Sequence, residues 1–326
     1  MGKILKFFIL NLCVLLLLVG VTCVWGFFNF RAPSSMEKSV SIIIKRGNGI
    51  DTISKTLYQA GVIEFPIVFR IAARIYKADR DLKAGEYLFE QRLTPKEVLE
   101  LLQSGKTVVR KVTLAEGLST TEILYFLKNK KDLSGLVSPI PAEGTLLPET
   151  YHYSYGDSRQ NIIHRMEENL RKLVISLWNK RLPDLPFKSP NEAVILASIV
   201  EKETALPSER PRIAAVFINR IRKGMRLQSD PTVVYGLTKG VGPLGRRLTR
   251  SDLKSSTPYN TYMINGLPPG PIANPGIASL KAVMSPVQTD ELYFVADGQG
   301  GHLFAKSLKQ HNSNVARWRK INRSRK

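Results

Sequence analysis

The feature that most constrains this chain is an apolar run near its N-terminus. From Phe7 to Phe30 there is no charged residue, and Lys3 and Lys6 precede the run. As a helix, a segment of this length would extend about 36 Å, enough to cross a hydrocarbon core of roughly 30 Å. The chain is therefore expected to place one helix in lipid and to fold the rest in water.

A cleaved signal peptide is the alternative interpretation of this run. Signal peptides have apolar regions of about 7 to 15 residues that are followed by small residues, whereas this run ends in aromatic residues such as Trp25 and Phe28. We predict that residues 1–31 form a cytoplasmic head and an uncleaved membrane anchor. Basic residues flank the run on both sides, so the positive-inside rule orients it only weakly. A short head inside and a long domain outside is the favoured arrangement.

Charge and cysteine content limit the functions that the chain after the apolar run can have. Both cysteines, Cys13 and Cys23, lie in the apolar run, so no disulfide can form in the rest of the chain. The formal net charge is +21, and the chain ends in RWRKINRSRK. There is no zinc-ligand spacing, no basic region leading into heptads and no aromatic motif for single strands. We therefore predict no nucleic-acid partner, and a basic surface that faces anionic lipid or an acidic polymer.

The remaining sequence divides into four parts with mixed patterning. Residues 32–39 form a polar linker. Residues 40–110 alternate as strand, helix, helix and strand, followed by a helix over Pro95–Gln103 that Thr94 caps and Gly105 closes. Residues 111–312 mix helices and short strands without regular βαβ repetition, and residues 313–326 form a basic tail. The predicted fold class is α+β.

The segment LASIVEKET (196–204) is the strongest candidate for chemistry. Ser189 and Glu192 with Pro190 between them predict a capped helix that continues through this apolar segment. On that helix Glu201 shares a face with small residues, whereas Glu203 is predicted to face away. A carboxyl group held partly out of water has a raised pKa, as a general acid requires. A salt bridge with lysine or arginine is the alternative for Glu201.

Three further segments accompany it in order: EGTLLPETYHY (143–153), LQSDPTVVYGL (227–237) and STPYNTYMINGLPPGPIANPG (256–276). Together the four segments resemble the endolytic murein transglycosylase family, the YceG-like proteins. The resemblance extends over nearly the whole chain, from the anchor to YFVADGQGGHLFAKSLKQHN (293–312). It implies that residues 40–110 are a LysM-like module and that residues 111–312 are the YceG-like catalytic domain.

The resemblance implies a reaction and a location. Family members cut the β-1,4 bond between N-acetylmuramic acid and N-acetylglucosamine without water, which leaves a 1,6-anhydromuramoyl end. Glu201 corresponds to the residue expected to act first as acid and then as base. The implied location is the bacterial inner membrane, as a single-pass protein with its C-terminal domain extracytoplasmic. The implied partners are nascent glycan strands, membrane lipid and the peptidoglycan synthases.

Polar and aromatic residues in two of these segments suit a sugar ligand, because sugars offer apolar faces to rings and hydroxyl groups to amides. Asp230 could instead cap the following helix, and the prolines of the loop 266–276 could be scaffolding. The predicted substrate-binding residues are Gln228, Ser229, Asp230, Tyr259, Asn260, Thr261, Tyr262 and Asn274.

Histidine spacing predicts no metal site, and no cofactor is expected. His302 and His311 are interpreted as structural residues, and Glu149 and Glu203 receive no role. A membrane-anchored, peptidoglycan-binding scaffold without catalytic activity is the alternative function.

Overall fold

The structure is a computed structural model, and it describes residues 2–324. The helices are α1 (Gly2–Arg31), α2 (Ile50–Gln59), α3 (Pro66–Ile75), α4 (Pro95–Ser104), α5 (Thr120–Lys128), α6 (Arg159–Asn179), α7 (Pro190–Glu203), α8 (Arg210–Arg222), α9 (Asp230–Thr238), α10 (Ile277–Met284) and α11 (Leu308–Ser324). The strands are β1 (Val40–Ile44), β2 (Gly85–Phe89), β3 (Val109–Thr113), β4 (Thr150–Ser154), β5 (Tyr293–Ala296) and β6 (His302–Ala305). A short 3-10 helix covers Asp252–Lys254.

Helix α1 contains the predicted apolar run. Its segment Ile4–Arg31 is 28 residues long with a mean hydropathy of 2.8, and no residue of its most apolar stretch is buried against protein. A helix of this length and composition is compatible with a single-pass membrane anchor. Its last turn differs from the rest, because Phe30 is buried and only 4% exposed.

The chain divides into two compact units, which comprise residues 2–110 with 152–156, and residues 111–151 with 157–324. In the first, the N-terminal unit, β1 and β2 pair antiparallel with Val40 opposite Phe89 and Ile44 opposite Gly85. Helices α2 and α3 connect these strands. The buried faces of α2, α3 and α4 pack with the inner face of the strand pair around Leu57, Phe69 and Tyr87.

The second unit is built around helix α7. Every residue from Ala193 to Val200 is buried, because α6, α8, α9 and α10 all contact this helix. Its hydrophobic core also includes Phe217 and Leu280. Strands β5 and β6 pair antiparallel, and both contact α11. This architecture places the candidate glutamates at the C-terminal end of a helix that packs against four other helices.

The mixture of helices and antiparallel strand pairs confirms the predicted α+β class. The order strand, helix, helix, strand is confirmed for residues 40–89, and so is the reciprocal cap between Thr94 and Glu97 at the start of α4. The segment 143–153 enters β4, which pairs with β3. Residues 313–324, predicted as a basic tail, continue helix α11.

Candidate active site

Helix α7 positions two glutamates two residues apart. The Ser189 hydroxyl accepts a hydrogen bond from the Glu192 amide, and Pro190 occupies the first turn, as the sequence predicts. The Glu192 carboxylate accepts a hydrogen bond from the Lys188 amide at 2.7 Å. It would bond the Ser189 amide in a complete capping box. The helix ends after Glu203, where the backbone of Thr204 is extended. Glu201 and Glu203 therefore leave the last turn in different directions.

Glu201 lies in a buried ion pair. Its Oε1 accepts a hydrogen bond from the Arg210 guanidinium at 2.8 Å, and its Oε2 accepts one from the Gly276 amide at 3.0 Å. The side chains of Glu201 and Arg210 are 4% and 7% exposed, and Arg210 also contacts Glu116 at 3.1 Å. A side chain at position 276 would overlap the Glu116 carboxylate, so Glu116 would have to move to admit it. Both carboxylate oxygens of Glu201 are thus occupied by donors from the protein.

Glu203 has a different environment. Its Oε1 accepts a hydrogen bond from the Ser229 hydroxyl. The pKa of Glu203 is raised to about 7, because burial and the nearby Asp230 carboxylate raise it by more than the Ser229 hydrogen bond and the charges of His302 and Arg220 lower it. The prediction that Glu203 faces away from the binding segment is therefore wrong. It contacts Ser229, one of the residues predicted to bind substrate.

The segment 228–230 contacts Glu203 through Ser229 and the loop 256–276 through Asp230. Gln228 adopts a left-handed backbone with φ of 55° and is exposed. Ser229 is only 1% exposed. The exposed Asp230 opens helix α9 and accepts a hydrogen bond from the Tyr262 hydroxyl at 2.7 Å. Gln228, Asp230 and Tyr262 can thus reach a ligand, whereas Ser229 acts on Glu203.

Three predicted contact residues are fully buried and belong to the scaffold: Asn260, Thr261 and Asn274 are each 0% exposed. The Asn260 amide donates to the Ser255 carbonyl at 2.8 Å, and the Thr261 hydroxyl accepts from the Ser229 amide at 2.9 Å. Their polar groups are bonded to protein, and their contact with substrate stays a prediction.

Asn274 connects the proline-rich loop to a second buried carboxyl group. Its Oδ1 accepts from the Leu146 amide at 3.0 Å, and its Nδ2 donates to Glu143 at 3.1 Å. Burial raises the pKa of Glu143 despite hydrogen bonds from Thr120 and Tyr235. Glu149 is exposed instead. The acid that the motif EGTLLPETYHY contributes to the interior is thus Glu143, which the sequence analysis missed.

A groove of about 480 Å³ runs beside helix α9 and the glycine-rich loop that follows it. Lys202, Asp230, Tyr235 and Arg246 line it. The Tyr235 ring packs on the Tyr259 ring with a centroid distance of 4.8 Å. Asp230 lines this groove and is also close enough to the Glu203 carboxyl group to raise its pKa.

Two of the histidines, His302 and His311, contact other side chains of the protein. The His302 ring contacts the Glu209 carboxylate at 2.7 Å, and the His302 amide donates to the same carboxylate at 2.8 Å. The His311 ring stacks on Tyr293 at 5.1 Å. Within residues 2–324 there is no group of three or more His, Cys, Asp or Glu side chains that could hold a metal ion.

A further functional residue missed by the sequence analysis is Arg220, which is 8% exposed. Its guanidinium donates to the Leu227 carbonyl at 2.8 Å and to the Leu292 carbonyl at 2.6 Å. It thereby fixes the approach to Gln228 and brings a positive charge near Glu203. Its position within the basic helix α8 gives no signal that distinguishes it from its neighbours.

Fold and site together define a class: an α+β protein with an N-terminal apolar helix, an open groove lined by Asp230, and a glutamate, Glu203, whose pKa is raised by burial and by Asp230. Comparison with known proteins identifies the family. The model of the YceG-like family matches residues 42–317, and the chain belongs to this family.

Named relatives and a solved structure agree with this assignment. The endolytic murein transglycosylase of Bacillus subtilis (strain 168) is 30% identical over 85% of this chain and 84% of its own length. The protein of that name from Streptococcus pneumoniae (strain D39) is 28% identical over 95% of this chain, which spans 65% of that relative. A crystal structure of a YceG-like protein from Listeria monocytogenes superposes with a TM-score of 0.52 at 31% identity, covering 86% of this chain and 99% of that one.

Proposed function

We propose that this protein is a lytic transglycosylase that cleaves the β-1,4 bond between N-acetylmuramic acid and N-acetylglucosamine in peptidoglycan. The observation that carries the proposal is the environment of Glu203: the pKa of this carboxyl group is raised to about 7, and its neighbour Asp230 lines an open groove. The relatives named endolytic murein transglycosylase support the substrate class.

Glu203 serves as acid and base in turn, and it replaces Glu201 in the role predicted from the sequence. The protonated carboxyl group donates its proton to the glycosidic oxygen as the bond to C1 breaks. The resulting carboxylate then takes the proton of the C6 hydroxyl while O6 bonds to C1. The products are a free hydroxyl group on the leaving sugar and a 1,6-anhydromuramoyl end, and Glu203 is protonated again.

The hydrogen bonds of Glu203 suit this exchange. Ser229 holds Oε1. Within the described residues no hydrogen bond to Oε2 is found, so in this proposal Oε2 is the oxygen that carries the proton. Glu201 has a positioning role: with Arg210 and the Gly276 amide it joins the end of α7 to the proline-rich loop.

A hydrolase is the second candidate, because Asp230 provides a second carboxylate near Glu203. Glycoside hydrolases use two carboxyl groups, one as acid and one as nucleophile or base. The two reactions give different products, since only hydrolysis adds a water molecule. A scaffold without activity remains the alternative from a different class.

The proposal extends to the location and partners of the protein. Residues 1–31 form a single-pass anchor in the bacterial inner membrane, and the remainder faces the extracytoplasmic side. The βααβ arrangement of the N-terminal unit suits a LysM-like module. The substrate is newly made glycan near the membrane, and the peptidoglycan synthases of that membrane are the expected protein partners.

Paired isosteric variants test the chemistry. The full chain, its Glu203→Gln variant and its Glu201→Gln variant are incubated with purified uncrosslinked glycan strands, and the products are analysed by mass spectrometry. The parent should release fragments lighter than hydrolytic products by one water molecule. Glu203→Gln should lower the rate by a factor on the order of 10² to 10⁴, as expected for a lost general acid.

Glu201→Gln is the matched control, because it makes the same replacement of a carboxylate by an amide on the same helix. It should retain activity per folded molecule while lowering thermal stability, since Arg210 loses one of its two carboxylate partners. Full activity of Glu203→Gln would refute the assigned acid. Products that contain the added water would establish hydrolysis, and a parent that binds glycan without cutting it would establish the scaffold.

A further inference from the structure

We propose that helix α3 lies in the lipid–water interface of the membrane that α1 crosses, so that lipid holds the N-terminal unit through two helices. This inference rests on the proposed membrane span of α1. It concerns this unit alone and is independent of the chemistry at Glu203.

Helix α3 has apolar residues on two faces, and the interior of the protein uses only one of them. Phe69 and Ala73 are 0% exposed and belong to the core. Ile67, Ile71 and Ile75 are 62%, 53% and 72% exposed. Their spacing of four residues places them in one stripe along the helix. A stripe of exposed isoleucines is typical of a helix that contacts a further apolar phase.

This stripe is continuous with the end of α1. A cavity of about 470 Å³ is lined by Trp25, Phe27 and other residues from the last turns of α1 on one side and by the isoleucine stripe on the other. The Trp25 ring meets the Phe65 ring edge-on at 4.8 Å, and the Phe30 ring stacks on Tyr76 at 5.7 Å. Tryptophan and tyrosine concentrate at membrane interfaces.

The occupant of this cavity is lipid, because one of its walls is the lipid-facing side of α1. A water-soluble partner cannot reach that wall without displacing lipid. Phe27 and Phe28 on the same turns are 52% and 66% exposed, so the apolar surface extends without interruption from the membrane span to α3. Acyl chains can cover this apolar surface without burying an unpaired polar group.

Basic residues border the stripe. Arg74 and Lys77 at the end of α3 are exposed, and the exposed Arg31 guanidinium lies 4.3 Å from the Phe27 ring. The nearby acid Asp51 is already paired with Arg70 at 2.6 Å. Long cationic side chains of this kind extend from an apolar surface to the head-group level, where they attract anionic lipid.

Site-directed fluorescence in a bilayer tests the inference. The full chain with Cys13→Ser and Cys23→Ser receives one new cysteine at a time, is labelled with an environment-sensitive dye and is reconstituted in vesicles of phosphatidylethanolamine and phosphatidylglycerol. Lipids with a nitroxide on the acyl chain are then added as quenchers. Ile71→Cys reports on the stripe, and Leu16→Cys reports on the membrane span.

Leu88→Cys is the matched control, because Leu88 is 50% exposed in the same unit but does not line the cavity. The dye at Ile71→Cys should be quenched several-fold more than the dye at Leu88→Cys. Equal quenching at these two positions, with strong quenching at Leu16→Cys, would overturn the inference and leave the anchor in place. Absence of quenching at Leu16→Cys would refute the membrane span itself.

A second copy of the chain is the remaining alternative occupant. In that case the dye at Ile71→Cys would emit at shorter wavelength without being quenched by lipid, and the shift would disappear when the vesicles contain fewer protein molecules. That outcome would also overturn the inference.

Discussion

Two glutamates on one turn of α7 show how local contacts give two identical side chains different hydrogen-bond partners and electrostatic surroundings. The Glu201 carboxylate is fixed as an acceptor by Arg210 and Gly276, whereas Glu203 has one neutral donor, Ser229, and a neighbouring negative charge on Asp230. Favourable partners stabilise the charged form of a carboxyl group, and burial next to a like charge stabilises the neutral form. The acid is therefore defined by its surroundings.

The pH dependence of activity should report the neighbours of Glu203. Because the acid must be protonated, kcat/KM should fall as the pH rises through its pKa of about 7. The Ser229 hydrogen bond lowers this pKa and Asp230 raises it. Ser229→Ala should therefore move the falling limb to higher pH, and Asp230→Asn should move it to lower pH. Rates across a pH series would measure both shifts, and shifts of the same sign would contradict the assignment.

Glu203 should also make the protein less stable at neutral and higher pH. Its pKa is raised from 4.5 to about 7 by folding, so its contribution to stability is present below pH 4.5 and is lost as the pH rises through 7. Glu203→Gln removes that dependence. The variant should exceed the parent in unfolding free energy by about 2 to 3 kcal/mol at pH 8, and the two should be nearly equal at pH 4.

Denaturant unfolding at the two pH values measures this difference. Glu201→Gln again provides the comparison, because loss of a partner in a buried ion pair should lower stability at both pH values. A Glu203→Gln variant that is less stable than the parent at pH 8 would show that the carboxylate is stabilised by the fold.

At the scale of elements, helix α7 shows what the sequence predicts and what it leaves open. Its start at Pro190, its Ser189 cap and its end near Thr204 follow from local signals, and the structure confirms them. The predicted direction of Glu203 was wrong because residues 193–200 are buried on every side. A helix that is apolar all round has no unique outward face, so periodicity cannot tell which side meets the groove.

The same limit applies to the polar loop residues. Asn260, Thr261 and Asn274 have the side chains expected of sugar-binding residues, yet all three are buried. Amide and hydroxyl groups that bind sugars also satisfy backbone groups in irregular loops. Only tertiary contacts such as the one between Asn274 and the Leu146 amide separate these roles, and those contacts join residues more than a hundred positions apart.

Asn274 should therefore matter for stability. Asn274→Ala leaves the Leu146 amide without its acceptor and removes the donor to Glu143. An unsatisfied buried polar group costs about 1 to 3 kcal/mol, so the unfolding free energy should fall by at least that amount. Asn265→Ala, an exposed change near the same loop, should have an effect below about 0.5 kcal/mol.

Thermal or denaturant unfolding of both variants checks this prediction. If Asn274→Ala unfolds like the parent and instead raises KM for glycan, the residue contacts substrate as the sequence analysis first predicted.

At the scale of the whole molecule, two hydrophobic clusters among the described residues have no residue in common. Leu57 belongs to the core of the N-terminal unit, and Phe217 belongs to the core that surrounds α7. The sequence analysis predicted a boundary between two domains at residue 110. The return of residues 152–156 to the first unit was not predictable, because it depends on the pairing of β4 with β3.

Two separate cores should give two unfolding transitions. Leu57→Ala and Phe217→Ala each delete a fully buried side chain, and such changes cost about 2 to 5 kcal/mol. If the units unfold independently, each variant lowers one midpoint and leaves the other in place. Calorimetry of the full chain in detergent, with glycan cleavage measured along the same temperature series, resolves them. Activity should disappear with the transition that Phe217→Ala lowers, because Glu203 and the groove lie in that unit. A single transition that both variants lower equally would show that the two cores fold as one cooperative body.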